Sequence, residues 1–197
     1  MKIIATIEAR MSSSRLPGKV LMEAAGTPML YHLLKRLSKA QFIDDLIIAT
    51  TDNPKDDQII NFANSHNFKF YRGSEDDVMS RVIGAAEFMN AELVVEITGD
   101  CPLIDPSIVD QVISTFLNNN VEYVSNVDVR SFPDGMDVQV FSLKTLKKSA
   151  SLTKDEKDRE HVTLHIRKNP EIFSRINFVS PPELFWPELG LTLDENP

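Results

Sequence analysis

Four short apolar runs punctuate the first half of the chain: Ile3-Ile4-Ala5-Thr6-Ile7, Leu46-Ile47-Ile48-Ala49-Thr50, Phe68-Lys69-Phe70-Tyr71 and Leu93-Val94-Val95-Glu96-Ile97. They show little polar alternation. A strand that is apolar on both faces must be covered on both, which is the situation of a parallel sheet between helical layers. The segments between the runs supply those helices. Thr27-Pro28 reads as a cap with a first-turn proline, and Met29, Leu30, Leu33, Leu34, Leu37 and Ala40 then form one stripe with Lys35, Arg36 and Lys39 outward. Asn53-Pro54 repeats the signal before Ile59, Ile60 and Ala63, and Asp105-Pro106 before Ile108, Val109, Val112, Ile113 and Phe116. Ser74 and Asp77 make a capping-box-like pair ahead of Val78, Val82, Ala85, Ala86 and Met89. From residue 2 to about residue 125 the order is strand, helix, strand, which predicts a mainly parallel sheet in a three-layer α/β/α fold.

After Tyr123-Val124-Ser125-Asn126 this alternation stops. Pro133-Asp134-Gly135 is turn chemistry, and Asp137-Val138-Gln139-Val140-Phe141 alternates like a half-buried strand. Helices are expected over 143–150 and 155–168, followed by an irregular stretch at Pro181, Pro182 and Pro187 and a short final strand, Leu191-Thr192-Leu193. The 197 residues read as one domain with halves 1–125 and 126–197 and no linker. A net charge of -8 argues against a general nucleic-acid binder, which needs an extended basic face. One cysteine excludes an intrachain disulfide framework. The N-terminal apolar run is interrupted by Glu8 and Arg10, too short for a signal-peptide core, and nothing later approaches a membrane span. The expected location is cytoplasmic.

Against that acidic background, Ala9-Arg10-Met11-Ser12-Ser13-Ser14-Arg15-Leu16-Pro17-Gly18-Lys19 packs three cations and three hydroxyls into the loop leaving the first strand. Free N–H groups, hydroxyls and clustered cations after a strand outline a phosphate cradle. It is neither a Walker A loop, which needs Gly at Ser13 and Ser or Thr at Val20, nor the Rossmann G-x-G-x-x-G. In a parallel sheet the ligand edge lies beyond the carboxyl ends of the strands, so this loop and Asp100, after the fourth strand, belong to one crevice. Gly99 lets a bulky ligand approach there, and a carboxylate at Asp100 suits Mg²⁺.

Ala-Arg-Met-x-Ser-x-Arg-Leu-Pro-Gly-Lys resembles the nucleotide-binding signature of the cytidylyltransferases that activate acidic sugars, and within them the spore-coat polysaccharide (SpsF-like) branch. The resemblance recurs, in the family's order, at Arg72-Gly73-Ser74-Glu75-Asp76-Asp77-Val78, Ile97-Thr98-Gly99-Asp100-Cys101-Pro102-Leu103-Ile104-Asp105, Pro133-Asp134-Gly135-Met136-Asp137 and Arg159-Glu160-His161-Val162. It implies a Rossmann-like nucleotidyltransferase fold of glycosyltransferase-A type. The implied reaction is attack of a sugar hydroxyl on the α-phosphate of CTP, with release of pyrophosphate, for surface polysaccharide or glycan synthesis.

The resemblance implies nucleotide binding by Ala9, Arg10, Met11, Ser12, Ser13, Arg15 and Lys19, by Arg72, Gly73, Ser74 and Asp77, and by Thr98 and Gly99. Lys19, Arg10 and Asp100 are the implied catalytic residues, and Asp100 with Asp194 the implied Mg²⁺ ligands. In the family the second carboxylate leads into a helix, whereas here the chain stops three residues later. Asp134, Gly135, Asp137, Arg159, Glu160 and His161 are the implied sugar-side residues, with Arg72, Arg81 or Arg159 as the cation for the sugar acid.

The implied partners are CTP and an acidic sugar, with no nucleic acid and no membrane; a homodimer stays open. Blander readings remain for single positions. Asp134 and Asp137 suit a plain turn, and Arg159 to His161 a solvated helix face. His161 and His165 lack the Glu of H-E-x-x-H, and Cys101 suits a small buried hydrophobe. Two whole-chain alternatives are a glycosyltransferase, which usually shows an Asp-x-Asp absent here, and a non-catalytic nucleotide-binding module.

Overall fold

The computed structural model describes residues 1–13 and 15–194. In chain order it contains β1 (Ile3–Glu8), β2 (Glu23–Ala24), β3 (Thr27–Pro28), α1 (Met29–Leu37), β4 (Asp45–Thr51), α2 (Asp57–Ser65), β5 (Lys69–Gly73), α3 (Val78–Phe88) and β6 (Leu93–Thr98). There follow α4 (Pro106–Leu117), β7 (Tyr123–Ser125), β8 (Gln139–Ser142), α5 (Leu143–Leu152), α6 (Glu156–Glu160), α7 (Leu164–Lys168) and β9 (Arg175–Asn177). The seven-stranded sheet runs β5-β4-β1-β6-β8-β7-β9. β5, β4, β1 and β6 are mutually parallel, while β8 runs antiparallel to both β6 and β7. The expected mostly parallel α/β sheet is present, and it continues without interruption through the second half of the chain.

The central strands are buried on both faces because each face has its own helical cover. Ile3, Ala5 and Ile7 join a core with Leu30, Leu33, Leu37 and Ile59 on one side, and with Val109 and Val112 of α4. Ile4 and Val94 turn to the other side, against Val82, Ala85 and Leu146. The helix caps follow local chemistry: Asp77 accepts the Ser80 N–H to cap α3, and Asp105 the Ser107 N–H to cap α4. No helix among the described residues is long and apolar enough to cross a membrane.

Several expectations need correction. Thr27-Pro28 is a short strand paired with Glu23–Ala24, and α1 starts without a side-chain cap. The single helix expected over 155–168 is two, because buried Val162 takes a φ of 37° and breaks the spiral between α6 and α7. A β-branched residue there is strained; burying Val162 and turning the Thr163 hydroxyl onto Gln139 hold it. Leu191–Leu193 is not a strand, and the last strand, Arg175–Asn177, lies earlier beside β7.

The chain steps from β1 outward to β4 and β5, then returns to the other side of β1 as β6. That reversal leaves a crevice beyond the carboxyl ends of β1 and β6. At Gly99 the two strand ends nearly touch: its N–H donates to Glu8 O at 2.9 Å, and an added Cβ would lie 2.5 Å from that same oxygen. Gly99→Ala is therefore expected to push β6 from β1 and destabilise the fold by about 1–3 kcal/mol, the usual scale of overpacking. Urea unfolding checks this, and an unchanged midpoint would contradict it.

Candidate active site

The loop after β1 is closed by its own backbone. Gly18, at φ 75°, donates its N–H to Met11 O at 2.9 Å, a left-handed turn that glycine adopts without cost. Leu16 is buried beneath, and the chain tightens into a 3₁₀ turn at Lys19–Leu21. This turn aims the lysine inward. Lys19 Nζ donates to Asp100 Oδ2 at 2.5 Å and to Asp194 Oδ1 at 2.8 Å. Arg15 reaches the other Asp194 oxygen at 3.2 Å. Burial alone would lower the Lys19 pKa, but the two carboxylates outweigh it and raise it above the ordinary lysine value. For Asp194, burial pushes up while Lys19 and Arg15 pull down more strongly, so its carboxyl lies low.

Asp194 is far from the loop in sequence, and backbone bonds bring it there. Leu191 N donates to Asp134 O at 2.7 Å and Leu193 N to Asp100 O at 3.0 Å, so the last described residues are stitched between the 133–136 turn and the end of β6. Gly135, at φ 100°, makes room: a Cβ there would lie 2.9 Å from the Leu191 carbonyl carbon. Asp134 pairs with Arg130 at 3.0 Å. Asp137 is pushed up to about 6 by burial, with Asp134 and Asp100 adding to the effect against the pull of Arg130. Asp134 and Gly135 thus shape the segment that carries Asp194.

Two acids on other elements hold the cationic loop. Buried Asp56 accepts the Met11 N–H at 2.7 Å and the Thr51 hydroxyl. Glu75 accepts the Ser12 hydroxyl and the Asn53 amide, the latter at 2.8 Å, and faces Arg10 at 3.9 Å. Those two hydrogen bonds, Asn53 first, keep the Glu75 carboxyl below its usual range. The loop sequence did not reveal these anchors, since each comes from a distant turn. A carboxylate in an Asx-like turn just after a parallel strand is the only local hint for Asp56.

The crevice itself, of about 320 Å³, is walled by Ala9, Arg10, Ser13, Arg15, Lys19, Thr98, Gly99 and Asp100, with Glu160 and His161 opposite and Glu8, Val78 and Arg81 in its floor. A second cavity of about 440 Å³ shares Arg10 and Glu160 with it and adds Glu75, Asp76, Asp77, Lys154, Glu156 and Arg159. Asp77 and Arg159 face each other there: Asp77 Oδ2 accepts Arg159 Nε at 3.0 Å and Nη2 at 2.5 Å, tying α6 to α3.

Arg72 lies outside both cavities. It donates to Thr51 O, Asn53 O and Asp57, bracing the turn after β4. Gly73 ends β5 against Arg81, and Ser74 caps the following turn by accepting the Asp77 N–H. Cys101 is buried, and burial pushes its thiol pKa far up, away from nucleophilic use. His165 sits against Asp158 at 3.1 Å, apart from His161 of the crevice. Among the described residues no group of three or more His, Cys, Asp or Glu forms a metal cluster; Asp100 and Asp194 converge on the lysine as a pair.

A parallel α/β sheet with a cation-rich loop over paired carboxylates at its switch point defines a site for an anionic ligand of phosphate type. The sequence profile described as Cytidylyltransferase matches residues 4–190, so the chain belongs to the cytidylyltransferase family. The spore coat polysaccharide biosynthesis protein SpsF of Bacillus subtilis is 32% identical over 197 residues, 98% of this chain and 81% of that protein. The 3-deoxy-manno-octulosonate cytidylyltransferase of Geobacter sulfurreducens is 33% identical over 121 residues, 60% of this chain and 47% of its own length. Among solved structures, a cytidylyltransferase from Leptospira borgpetersenii superposes with a TM-score of 0.93 at 34% identity, covering 98% of this chain and 82% of that one.

Asp56→Ala is expected to free the Met11 amide, speed its hydrogen exchange and lower stability by about 1–3 kcal/mol, the scale for a lost buried acceptor. Exchange at Met11 unchanged from the native protein would show that the loop does not depend on Asp56.

Proposed function

We propose that the protein transfers CMP from CTP to an acidic sugar and releases pyrophosphate. The observation that carries the reading is Lys19, held between Asp100 and Asp194 under Arg10 and Arg15. Nucleotidyl transfer asks a protein mainly to position reactants and to neutralise charge. Among the described residues Arg10 has only a long ion pair to Glu75, and Arg15 is 63% exposed at its side chain, so both can turn to a triphosphate. Ser13 and the backbone after Ala9 add donors at the same edge. Membership of the family supports a nucleotidyltransferase; the sugar-acid acceptor rests on the named relatives.

Asp100 and Asp194 suit Mg²⁺, because both already converge on one positive charge, with the lysine ammonium standing in for the ion. Bound between them, the metal would supply neutralisation of phosphate charge. Lys19 would then leave the carboxylates for the phosphate groups of the nucleotide. Glu160 and His161 also line the crevice, where they would meet the acceptor. The implied homodimer and cytoplasmic location add nothing to this chemistry.

Two measurements test the reading. CTP with Mg²⁺ is expected to raise the melting temperature more than ATP, GTP or UTP at equal concentration, since a ligand that binds only the folded state stabilises it; equal shifts for all four would remove the base assignment. Lys19→Met is expected to bind Mn²⁺ without nucleotide at least about tenfold more tightly than the native protein, because an ammonium no longer competes for the carboxylates. Free Mn²⁺ followed by electron paramagnetic resonance reads this directly. Weaker binding in the variant would argue against the carboxylate pair as the metal site.

A further inference from the structure

On the sheet face covered by α3, three polar side chains lie in a row across neighbouring strands: Glu8 of β1, Glu96 of β6 and Gln139 of β8. Glu96 stands directly opposite Gln139 in the ladder, and Glu8 opposite Thr98, two residues beyond Glu96 on the same face. Gln139 is locked in one orientation. Its carbonyl oxygen accepts from the hydroxyls of Tyr123 and Thr163, both at 2.6 Å, so its amide is left to donate to Glu96. That is one donor for two acids. Glu8 and Glu96 are diagonal neighbours on this face, Glu96 standing opposite Thr6 and Glu8 opposite Thr98 on adjacent strands.

Arg81, the cation that acts on Glu8, is 2% exposed and its Nη1 is committed to the carbonyls of Ser74 and Glu75 at 2.5 and 3.3 Å, while Arg167 acts on Glu96. The Arg81 Nε and one Glu8 oxygen are buried with no partner among the described residues. A buried carboxylate and a half-buried one beside it, with so little to offset them, cannot both stay charged at tolerable cost. Burial first, then the neighbouring acid, holds Glu8 well above the usual carboxylate range, and burial pushes Glu96 up to about 7. A proton shared between them removes one charge and gives the lone Glu8 oxygen a partner.

Glu8 also floors the crevice, immediately before Ala9. We propose that Glu8 and Glu96 share one proton, and that Glu8, kept neutral in this way, is a nucleotide-binding residue offering an uncharged hydrogen-bonding floor to a polyanion. The inference rests on the crevice being the nucleotide site. A second negative charge there would repel a triphosphate already facing Asp100 and Asp194.

Other charged groups surround the pair on every side. Arg81 comes from α3, Asp100 from the end of β6, Asp137 from the turn before β8 and Arg167 from α7. Arg10, Glu160 and His161 face it across the crevice, and β4 contributes uncharged Ala49. His161 lines the same crevice and needs its own control.

The test is the affinity for CTP, without acceptor, of the native protein, Glu8→Gln, Glu96→Gln and His161→Gln between about pH 6 and about pH 8.5, read by calorimetry. Glutamine keeps the shape and neutrality of the protonated acid. Across that range the native protein is expected to lose about tenfold more affinity than Glu8→Gln, one pH unit of coupling being a factor of ten, and His161→Gln to keep the native slope. Glu8→Gln binding as steeply as native, or weakly at every pH, would overturn the proposal, as would loss of the slope in His161→Gln alone.

Native protein that binds no CTP at any pH would refute the nucleotide site instead. The shared proton would still be readable without ligand. An acid whose folded pKa is raised contributes full stability at low pH and loses it as pH climbs toward the folded value. The native melting temperature should therefore fall, relative to both glutamine variants, as pH rises through 7. Parallel melting curves would overturn the shared proton.

Discussion

The paired hydrogen bonds from Lys19 to Asp100 and Asp194 are the contact on which the site depends, because they bring charges from three distant parts of the chain to one point. Asp100 is delivered by the end of β6, Lys19 by the turn closing the loop after β1, and Asp194 by a segment stitched to Asp134 and Asp100. Two carboxylates at that distance repel unless a cation lies between them. The lysine fills that need in the protein as it stands; on the proposed reading, Asp100 and Asp194 would hold a metal there, which would supply the same neutralisation of charge. The site is organised before any ligand arrives, which is what charge-based catalysis requires.

Opposite charge also holds the cationic loop in an otherwise acidic protein. Asp56 and Glu75 take the Met11 amide and Ser12 hydroxyl, and leave the arginines with long or exposed contacts. Acids hold the backbone while cations face the crevice. Behind it, the Glu8, Glu96 and Gln139 row carries the polar character of the site into the sheet, where apolar residues would otherwise continue the core.

The fold was legible in the sequence where local chemistry repeats: the four unalternating apolar runs specify parallel strands, and Asp77 and Asp105 cap α3 and α4 in the structure. It was not legible where tertiary contact overrides propensity. Val162 breaks a segment with helical periodicity because burial of its side chain outweighs backbone strain, and the pairing of Thr27–Pro28 with Glu23–Ala24 replaces a helix cap. The loop cations and Asp100 were readable from their place after strands. Asp77 and Arg159 looked like residues for two different substrates and are also hydrogen-bonded to each other, a pair 82 residues apart that no local pattern reveals. Glu8 was visible only as an interruption of an apolar run; its meaning depends on Glu96 standing beside it.

The central claim is that this crevice drives transfer of CMP from CTP. Single turnovers with CTP labelled at the α-phosphate in one series and at the γ-phosphate in another, run with a panel of sugar acids, test it most directly. The account predicts that α-label moves to a sugar acid while γ-label appears in pyrophosphate at the same rate, and that both stop in Lys19→Ala. Label appearing only as inorganic phosphate and CDP, or transfer that survives loss of Lys19, would contradict it.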